Sequence, residues 1–555
     1  MELIVKLLIV GGVAGGASAA ARARRLSEDA EIILFERGPD VSFANCGLPY
    51  YVSGKIADRN KLLVTTPERL RSRFRLDVRT SSSVEAIDRA AKTIRVRELS
   101  TGREYVETYD KLILAPGAAP LTPPIPGIDL PGIFTLRNLQ DVDRIKSVVT
   151  GGIKQAVVVG AGFIGLELVE NLVELGISTT LVELQQQVLP PLDQEMTTPI
   201  VEKLRAKGVN LVLGESADGF EKSADGIAIR LKSGKTLTAQ IVILGIGVRP
   251  ENRLATEAGL ELGVRGAIRV NASLQTSDPD IYAVGDAIEI QDFVLESPSM
   301  IPLAGPANRQ GRMAADHVFG RTVHYRGSQG TAIVGVFDLT AAMTGASEKS
   351  LIRAGRPFRK IYVHPANHAG YYPGAEQMTL KLLFDPASGK VLGGQGVGGS
   401  GVDKRIDVIA VAIQAGLTVF DLEQVELAYA PQYGSAKDPI NMAGFVAAGL
   451  IRGDHPQIDV EAILKMPVEQ RPMLLDVRTP QEFSQGQLPG AINISVDDLR
   501  ERLSELPRDR PIAVYCQVGQ RGYIATRILM QRGFDVVNVG GGYKTYRLYA
   551  QVQNA

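Results

Sequence analysis

The chain has 555 residues, 45% of them hydrophobic and 22% charged, so a length scale of roughly 100–200 residues per domain predicts about three to five globular domains. This ordinary soluble composition excludes a disordered chain, a fibrous repeat and a membrane array. The 61 Lys and Arg balance the 61 Asp and Glu, which removes any overall electrostatic reason to expect a nucleic-acid or anionic-membrane partner.

The two cysteines, Cys46 and Cys516, and the five histidines stand at no zinc-ligand spacing, so no metal site is expected. A single possible cysteine pair in so long a chain is no disulfide framework, which points to a reducing, cytoplasmic setting. No stretch reaches the ~18 apolar residues of a membrane span. The first 21 residues have a secretory look, but glycine pairs directly after a β-rich run suit a nucleotide-binding turn and not a signal peptide.

In chain order, residues 6–10 read as a buried parallel strand, followed by Gly11-Gly12-Val13-Ala14-Gly15-Gly16, a helix to about residue 26, and a strand over 31–35 ending at Glu36. This is the dinucleotide-binding order: glycines let the backbone approach a pyrophosphate, the helix N-terminus stabilises it, and the acid receives ribose hydroxyls. Val13 replaces the middle glycine. A second copy is complete, with a strand over 155–159, Gly160-Ala161-Gly162-Phe163-Ile164-Gly165, a helix to about residue 175, and a strand over 179–182 leading to Glu183. Two copies in register predict two bound dinucleotides. No basic residue follows Glu183 in Leu184-Gln185-Gln186-Gln187, so NADH is expected over NADPH.

Strands over 109–115 and 241–245 run into Pro116-Gly117 and Gly247, and a further short strand ends in Gly285-Asp286. On these motifs the chain resembles the flavin-dependent pyridine-nucleotide disulfide reductases. The resemblance implies FAD contacts from Gly11, Val13, Gly16, Glu36 and Arg37, and from Ala115, Gly117 and Asp286. It implies NADH contacts from Gly160, Gly162, Gly165, Glu183 and Gly247. From about residue 331 the chain resembles the dimerisation domain of the same family, implying a homodimer. After a polar stretch, 452–457, the elements Asp476-Val477-Arg478, Pro489-Gly490-Ala491-Ile492-Asn493 and Cys516-Gln517-Val518-Gly519-Gln520-Arg521-Gly522 resemble a rhodanese domain.

The expected class is therefore α/β, with two Rossmann-like domains for FAD and NAD, an α/β dimerisation domain and a C-terminal rhodanese domain. The expected division is FAD-binding over 1–115, a crossing segment over 116–150, NAD-binding over 151–243, FAD-binding again over 244–330, dimerisation over 331–451, a linker over 452–457 and rhodanese over 458–555.

Cys46 lies in Ser42-Phe43-Ala44-Asn45-Cys46-Gly47-Leu48-Pro49-Tyr50-Tyr51, and Tyr51 stands where two-cysteine reductases carry a resolving cysteine. A lone redox cysteine cycles through a mixed disulfide or a sulfenic acid. The string resembles coenzyme A disulfide reductases, which implies coenzyme A contacts from Ser18, Arg22, Arg25, Ser42, Asn45, Asn308 and Lys437. It also implies hydroxyl donation from Tyr371 and Tyr429 to the sulfur of the partner subunit. The rhodanese resemblance makes Cys516 a persulfide carrier, with Arg521 adding positive charge for an anionic donor; Gln487 stands where many rhodaneses carry His. The expected activity is NADH-dependent reduction of coenzyme A disulfide, polysulfide or persulfide at Cys46, coupled to sulfur transfer through Cys516. The alternative is an NADH oxidase or peroxidase that cycles Cys46 through sulfenic acid, with the C-terminal domain as a docking or sensing module.

Overall fold

The computed structural model describes residues 5–553, so the ends of the expected segments, 1–4 and 554–555, lie outside the described residues. The chain forms two compact units, one built from residues up to 185 with 207–330, the other from 186–206 with the residues from 331 onward.

The first unit contains two five-stranded parallel sheets. One orders its strands Ile281–Ala283, Lys111–Leu114, Lys6–Val10, Glu31–Phe35 and Asp77–Arg79; the other, Asn210–Leu213, Ser178–Glu183, Gln155–Val159, Ile241–Leu244 and Ile133–Thr135. Continuous apolar runs such as Leu7-Leu8-Ile9 and Ile32-Ile33-Leu34 are buried on both faces, as parallel strands require when helices cover the sheet. Three-stranded antiparallel sheets over 82–108 and 217–239 are appended to this unit.

In the second unit an antiparallel sheet orders Ala332–Val336, Leu339–Gly345, Val391–Gly398, Thr379–Phe384 and Arg359–Val363. A parallel sheet follows, in the order Gln457–Ile458, Val536–Val539, Ile512–Tyr515, Met473–Asp476 and Ile492–Asn493. The α/β class expected from the sequence therefore holds. Among the described residues, no helix is long and apolar enough to cross a membrane.

Three local readings shift. The first helix is Ala14–Arg24 and stops short of residue 26, because the N–H groups of Leu26 and Ser27 both turn back to the carbonyl of Ala23. The sequence after Cys516 suggests a helical run over 523–531; the helix starts three residues earlier, at Gln520, because Gly519 at φ +105° turns the chain directly into it. The stretch 452–457 is not a free spacer. Arg452 is the last residue of the helix Pro439–Arg452 and pairs with Glu423 at 2.6 Å, Gly453 caps that helix at φ +79°, and Gln457 is already a strand residue paired with Asn538.

The second unit also holds a fully buried Lys381, whose Nζ lies 2.8 Å from Asp193, 2.6 Å from Glu195 and 2.6 Å from Glu348. These three carboxylates have the spacing of a cation site. The lysine ammonium stands among them, and it needs them, since an unpaired buried charge costs several kcal/mol.

Candidate functional site

The two glycine-rich turns of the first unit share one construction. Gly11 has φ +100°, and a Cβ there would lie 2.1 Å from the Ala115 carbonyl oxygen; one at Gly16 would lie 1.8 Å from that of Gly11. In the second copy the distances are 2.4 Å from Gly160 to the Gly245 oxygen and 1.9 Å from Gly165 to the Gly160 oxygen. No side chain fits these four positions. Val13 and Gly162 occupy the N-caps of the helices Ala14–Arg24 and Phe163–Glu174 without a side-chain cap, which leaves helix N–H groups for an anionic group. A Cβ at Gly162 would meet no atom within 4 Å, so this glycine keeps the turn open for an approaching ligand.

The acids at the ends of the second strands also match. Glu36 accepts the N–H of Gly12 at 2.8 Å and of Gly38 at 2.7 Å; Glu183 accepts the N–H of Ala161 at 2.7 Å and of Gln185 at 2.9 Å. Each is thereby locked beside its glycine turn. Arg37 is exposed and donates to Glu251 at 3.1 Å. Gly117 and Gly247 both take positive φ, +74° and +113°. The Gly285-Asp286 turn is held by buried Gln310, whose Oε1 accepts the Gly285 N–H at 2.7 Å. Burial pushes the Asp286 carboxyl up, opposed by the charge of Arg137. Gln310 and Arg137 carry no sequence signature. Uncapped helix ends, open turns and locked acids together fit two dinucleotides.

Cys46 lies in the turn Asn45–Gly47, immediately before the helix Leu48–Ser53. A Cβ at Gly47 would lie 2.6 Å from Leu62, which explains the glycine after the cysteine. Ser42 takes φ +46°, a conformation that a non-glycine residue keeps only when its surroundings impose it. Here its N–H donates to the Gly12 carbonyl at 2.8 Å and its carbonyl accepts from Val64 at 2.9 Å. The cysteine turn is thus tied to the first glycine turn.

The helix after Cys46 is tied to the second nucleotide helix. Tyr50 donates to Glu167 at 3.3 Å, Lys55 pairs with Glu170 at 2.6 Å, and Ser53 bonds Asn171. Burial pushes Glu167 up to about 7, with Glu170 adding to the shift and the Tyr50 hydroxyl opposing it. Desolvation raises the Cys46 thiol, and the Glu167 and Asp286 carboxylates raise it further. Sequence reading missed Glu167; its signal is a stripe of Glu167, Glu170 and Asn171 along one helix face. As pH rises through about 7, Glu167 gains a charge that disfavours the Cys46 thiolate. We therefore expect Glu167→Gln to speed iodoacetamide alkylation of Cys46 at pH 8 by about 3–10-fold. The variant profile should also lose the inflection near neutrality. An unchanged rate–pH profile would show that the two groups do not communicate.

Of the residues expected to contact coenzyme A, Ser18 donates to Asn308 at 2.5 Å. Arg22 is already engaged with Asp316, at 2.8 Å from Nε and 2.6 Å from Nη2. Arg25, Asn45 and Lys437 are exposed, while Ser42 is half-buried. The neighbouring Arg24 is buried and donates to the carbonyls of Phe74, Ser27, Glu28 and Arg75, a structural role. In the second unit Tyr371 and Tyr429 are exposed and their hydroxyls lie 2.9 Å apart.

Cys516 is buried at the end of the strand Ile512–Tyr515, and the N–H of Gly519 points to its Sγ at 3.2 Å. Arg521 is bonded through both Nη atoms to Glu482, each at 2.7 Å, and its guanidinium also interacts with Cys516, so its charge is shared between the carboxylate and the sulfur site. Arg521 in turn holds the Glu482 carboxyl down at about 2. Gln487 is exposed.

Residues 5–311 match the family described as Pyridine nucleotide-disulphide oxidoreductase, and 331–438 match its dimerisation domain. The chain belongs to the pyridine nucleotide-disulphide oxidoreductase family. Residues 459–548 match the Rhodanese-like domain, so this family member carries a fused second domain. It is 36% identical over 444 residues to the coenzyme A disulfide reductase of Staphylococcus aureus (strain JH9), covering 80% of this chain and 99% of the relative. The structure of reduced CoADR-RHD from Bacillus anthracis is 51% identical with a TM-score of 0.97, covering 99% of this chain and 98% of that one. The NAD-dependent persulfide reductase from A. fulgidus is 37% identical with a TM-score of 0.91, covering 98% and 100%.

Proposed function

We infer that the chain is an NADH-dependent flavoprotein reductase of coenzyme A disulfide, polysulfide or persulfide, coupled to sulfur transfer by its rhodanese domain. The observation that carries this reading is a single cysteine, Cys46, presented on a turn tied to both nucleotide-binding elements, with no second cysteine in that unit. Such a thiol has to borrow its partner sulfur from the substrate.

Cys46 thiolate attacks the disulfide, releases one coenzyme A thiolate and leaves a mixed disulfide on its own sulfur. Two electrons and a proton from NADH then cleave that bond, regenerating the Cys46 thiolate and freeing the second coenzyme A thiol. FAD bound against Gly11, Gly16, Glu36 and Asp286 would supply the two-electron relay between NADH and sulfur. The glycine turns hold the pyrophosphates, and Glu36 and Glu183 orient the riboses. Ser18, Arg22, Arg25, Ser42, Asn45, Asn308 and Lys437 make up the coenzyme A contacts of this reading. At the second site Cys516 accepts sulfane sulfur as a persulfide, its loop N–H groups facing the sulfur and the Arg521–Glu482 pair bracing the loop.

We read the molecule as a homodimer in the cytoplasm, divided as 1–115, 116–150, 151–243, 244–330, 331–451, 452–457 and 458–555. The exposed Tyr371, Tyr429 and Tyr433 in the second unit, 76%, 49% and 68% accessible, support an interface there. Tyr371 and Tyr429 would then offer their paired hydroxyls to the partner's redox sulfur.

Anaerobic NADH consumption with coenzyme A disulfide and coenzyme A persulfide, set beside oxygen and peroxide, tests the reading. Faster turnover of the sulfur substrates is expected; faster turnover of peroxide would make the protein a peroxidase. Nucleotide choice is a separate expectation. Glu183 holds a fixed carboxylate where a 2′-phosphate would sit, so kcat/KM should favour NADH over NADPH by about 10-fold or more. A higher kcat/KM for NADPH would contradict that assignment of Glu183.

A further inference from the structure

The Cys516 loop is held from the parallel sheet and from the helix that follows it. Three of its carbonyls are engaged: that of Cys516 accepts from the Tyr543 N–H at 2.8 Å, that of Gln517 from the Lys544 N–H at 3.0 Å, and that of Gly519 from the Asn538 amide at 3.2 Å. With these carbonyls engaged, the Gly519 N–H is turned to the sulfur at 3.2 Å, an arrangement that stabilises a thiolate or persulfide anion. Two of the three donors belong to the start of the C-terminal helix Gly542–Gln553.

That helix start is wedged without clearance. A Cβ at Gly542 would lie 2.3 Å from the Cys516 carbonyl oxygen, and one at Gly541 would lie 2.8 Å from Cβ of Tyr362, in the antiparallel-sheet strand Arg359–Val363. One turn further, the buried hydroxyl of Thr545 bonds His364 Nε2 at 2.8 Å, and His364 Nδ1 meets Thr379 at 3.0 Å. His364 is neutral, since burial pushes it down to about 3. Another turn on, the Tyr549 hydroxyl lies 2.9 Å from that of Tyr362, which donates to Glu195 at 2.8 Å in the carboxylate cluster around Lys381.

We propose that the dimerisation-type sheet is part of the sulfurtransferase site. Tyr362 and His364, acting through Thr545 and the helix Gly542–Gln553, hold the Cys516 loop with its Gly519 N–H turned toward the sulfur. They are positioning residues, since neither touches the sulfur. The proposal rests on the reading of Cys516 as a sulfur carrier, but the loop geometry has its own readout.

The test uses the full-length flavin-loaded protein and three variants: Thr545→Val, which keeps the shape and removes the hydroxyl; Thr545→Ser, which keeps the hydroxyl; and His364→Leu. The charged groups facing the loop are Arg521 with Glu482 and Arg478 with Asp476, the Lys544 ammonium being bonded to Gln377 at 3.0 Å, and all remain in each variant. Differential alkylation of Cys516, followed by peptide mass spectrometry across pH, should show the midpoint raised by about one unit in Thr545→Val and in His364→Leu. Sulfur transfer from coenzyme A persulfide should lose about 10-fold in kcat with KM little changed. Thr545→Ser should keep the wild-type midpoint, and Thr545→Val should keep wild-type reduction of coenzyme A disulfide at Cys46. Wild-type midpoint and kcat in folded Thr545→Val would overturn the proposal, as would loss of thermal stability alone. If wild-type Cys516 takes up no sulfur from the persulfide, the carrier reading fails instead, while the alkylation midpoints still decide the positioning claim.

Discussion

Cys46→Ser is expected to retain its yellow flavin and to lose NADH-dependent reduction of coenzyme A disulfide and persulfide, by on the order of 10³-fold or more. The flavin should stay because nothing in the proposed FAD site depends on the thiol: the glycine turn is set by backbone clearance, Glu36 by two N–H donors, and the Gly285-Asp286 turn by Gln310. Activity should vanish because a serine hydroxyl forms no mixed disulfide and no other cysteine stands in that unit. Absorbance at flavin wavelengths together with anaerobic NADH oxidation checks both halves. Full persulfide reductase activity in the variant would remove Cys46 from the mechanism.

The second large effect belongs to Cys516→Ser. Thiosulfate sulfurtransferase activity should disappear, again by on the order of 10³-fold, because the persulfide has no other sulfur to form on. Reduction of small persulfides at Cys46 should continue, while bulky or protein-bound persulfides slow, if Cys516 is their entry point. The rhodanese domain does not hang on a loose tether: 452–457 is helix end and strand start, and the last helix is bonded to the antiparallel sheet at Thr545 and Tyr549. A swing of the rhodanese domain away from the antiparallel sheet would break these bonds. Reductase activity measured over a series of donor sizes decides the matter, and equal retention for every donor would make the two sites independent.

Much of this architecture was readable in the sequence because it depends on local rules. Both nucleotide units announce themselves through glycines that no side chain could replace, and through Glu36 and Glu183 at the ends of apolar strands. Cys46 and Cys516 stand out because each is a lone thiol in a glycine-containing turn. What escaped depends on partners distant in sequence. Glu167 gains its raised pKa only when the Phe163–Glu174 helix packs its acidic stripe beside Tyr50. Arg22 reads as an anion ligand on its helix, and only the fold reveals that Asp316, 294 residues away, shares its guanidinium. Arg521 likewise looks like a free cation until the fold brings Glu482 onto it. The polar stretch 452–457 reads as a spacer because nothing local reveals that Gln457 will pair with Asn538 at the edge of another sheet.

The proposed reduction requires Cys46 to carry the substrate as a mixed disulfide. Mass spectrometry of the Cys46 peptide, from enzyme quenched in acid after one equivalent of coenzyme A disulfide and again after NADH, tests it most directly. A coenzyme A adduct that forms on Cys46 and is discharged by NADH is the predicted result. A Cys46 that never takes the adduct and instead appears as sulfenic acid after peroxide, discharged by NADH, would contradict it.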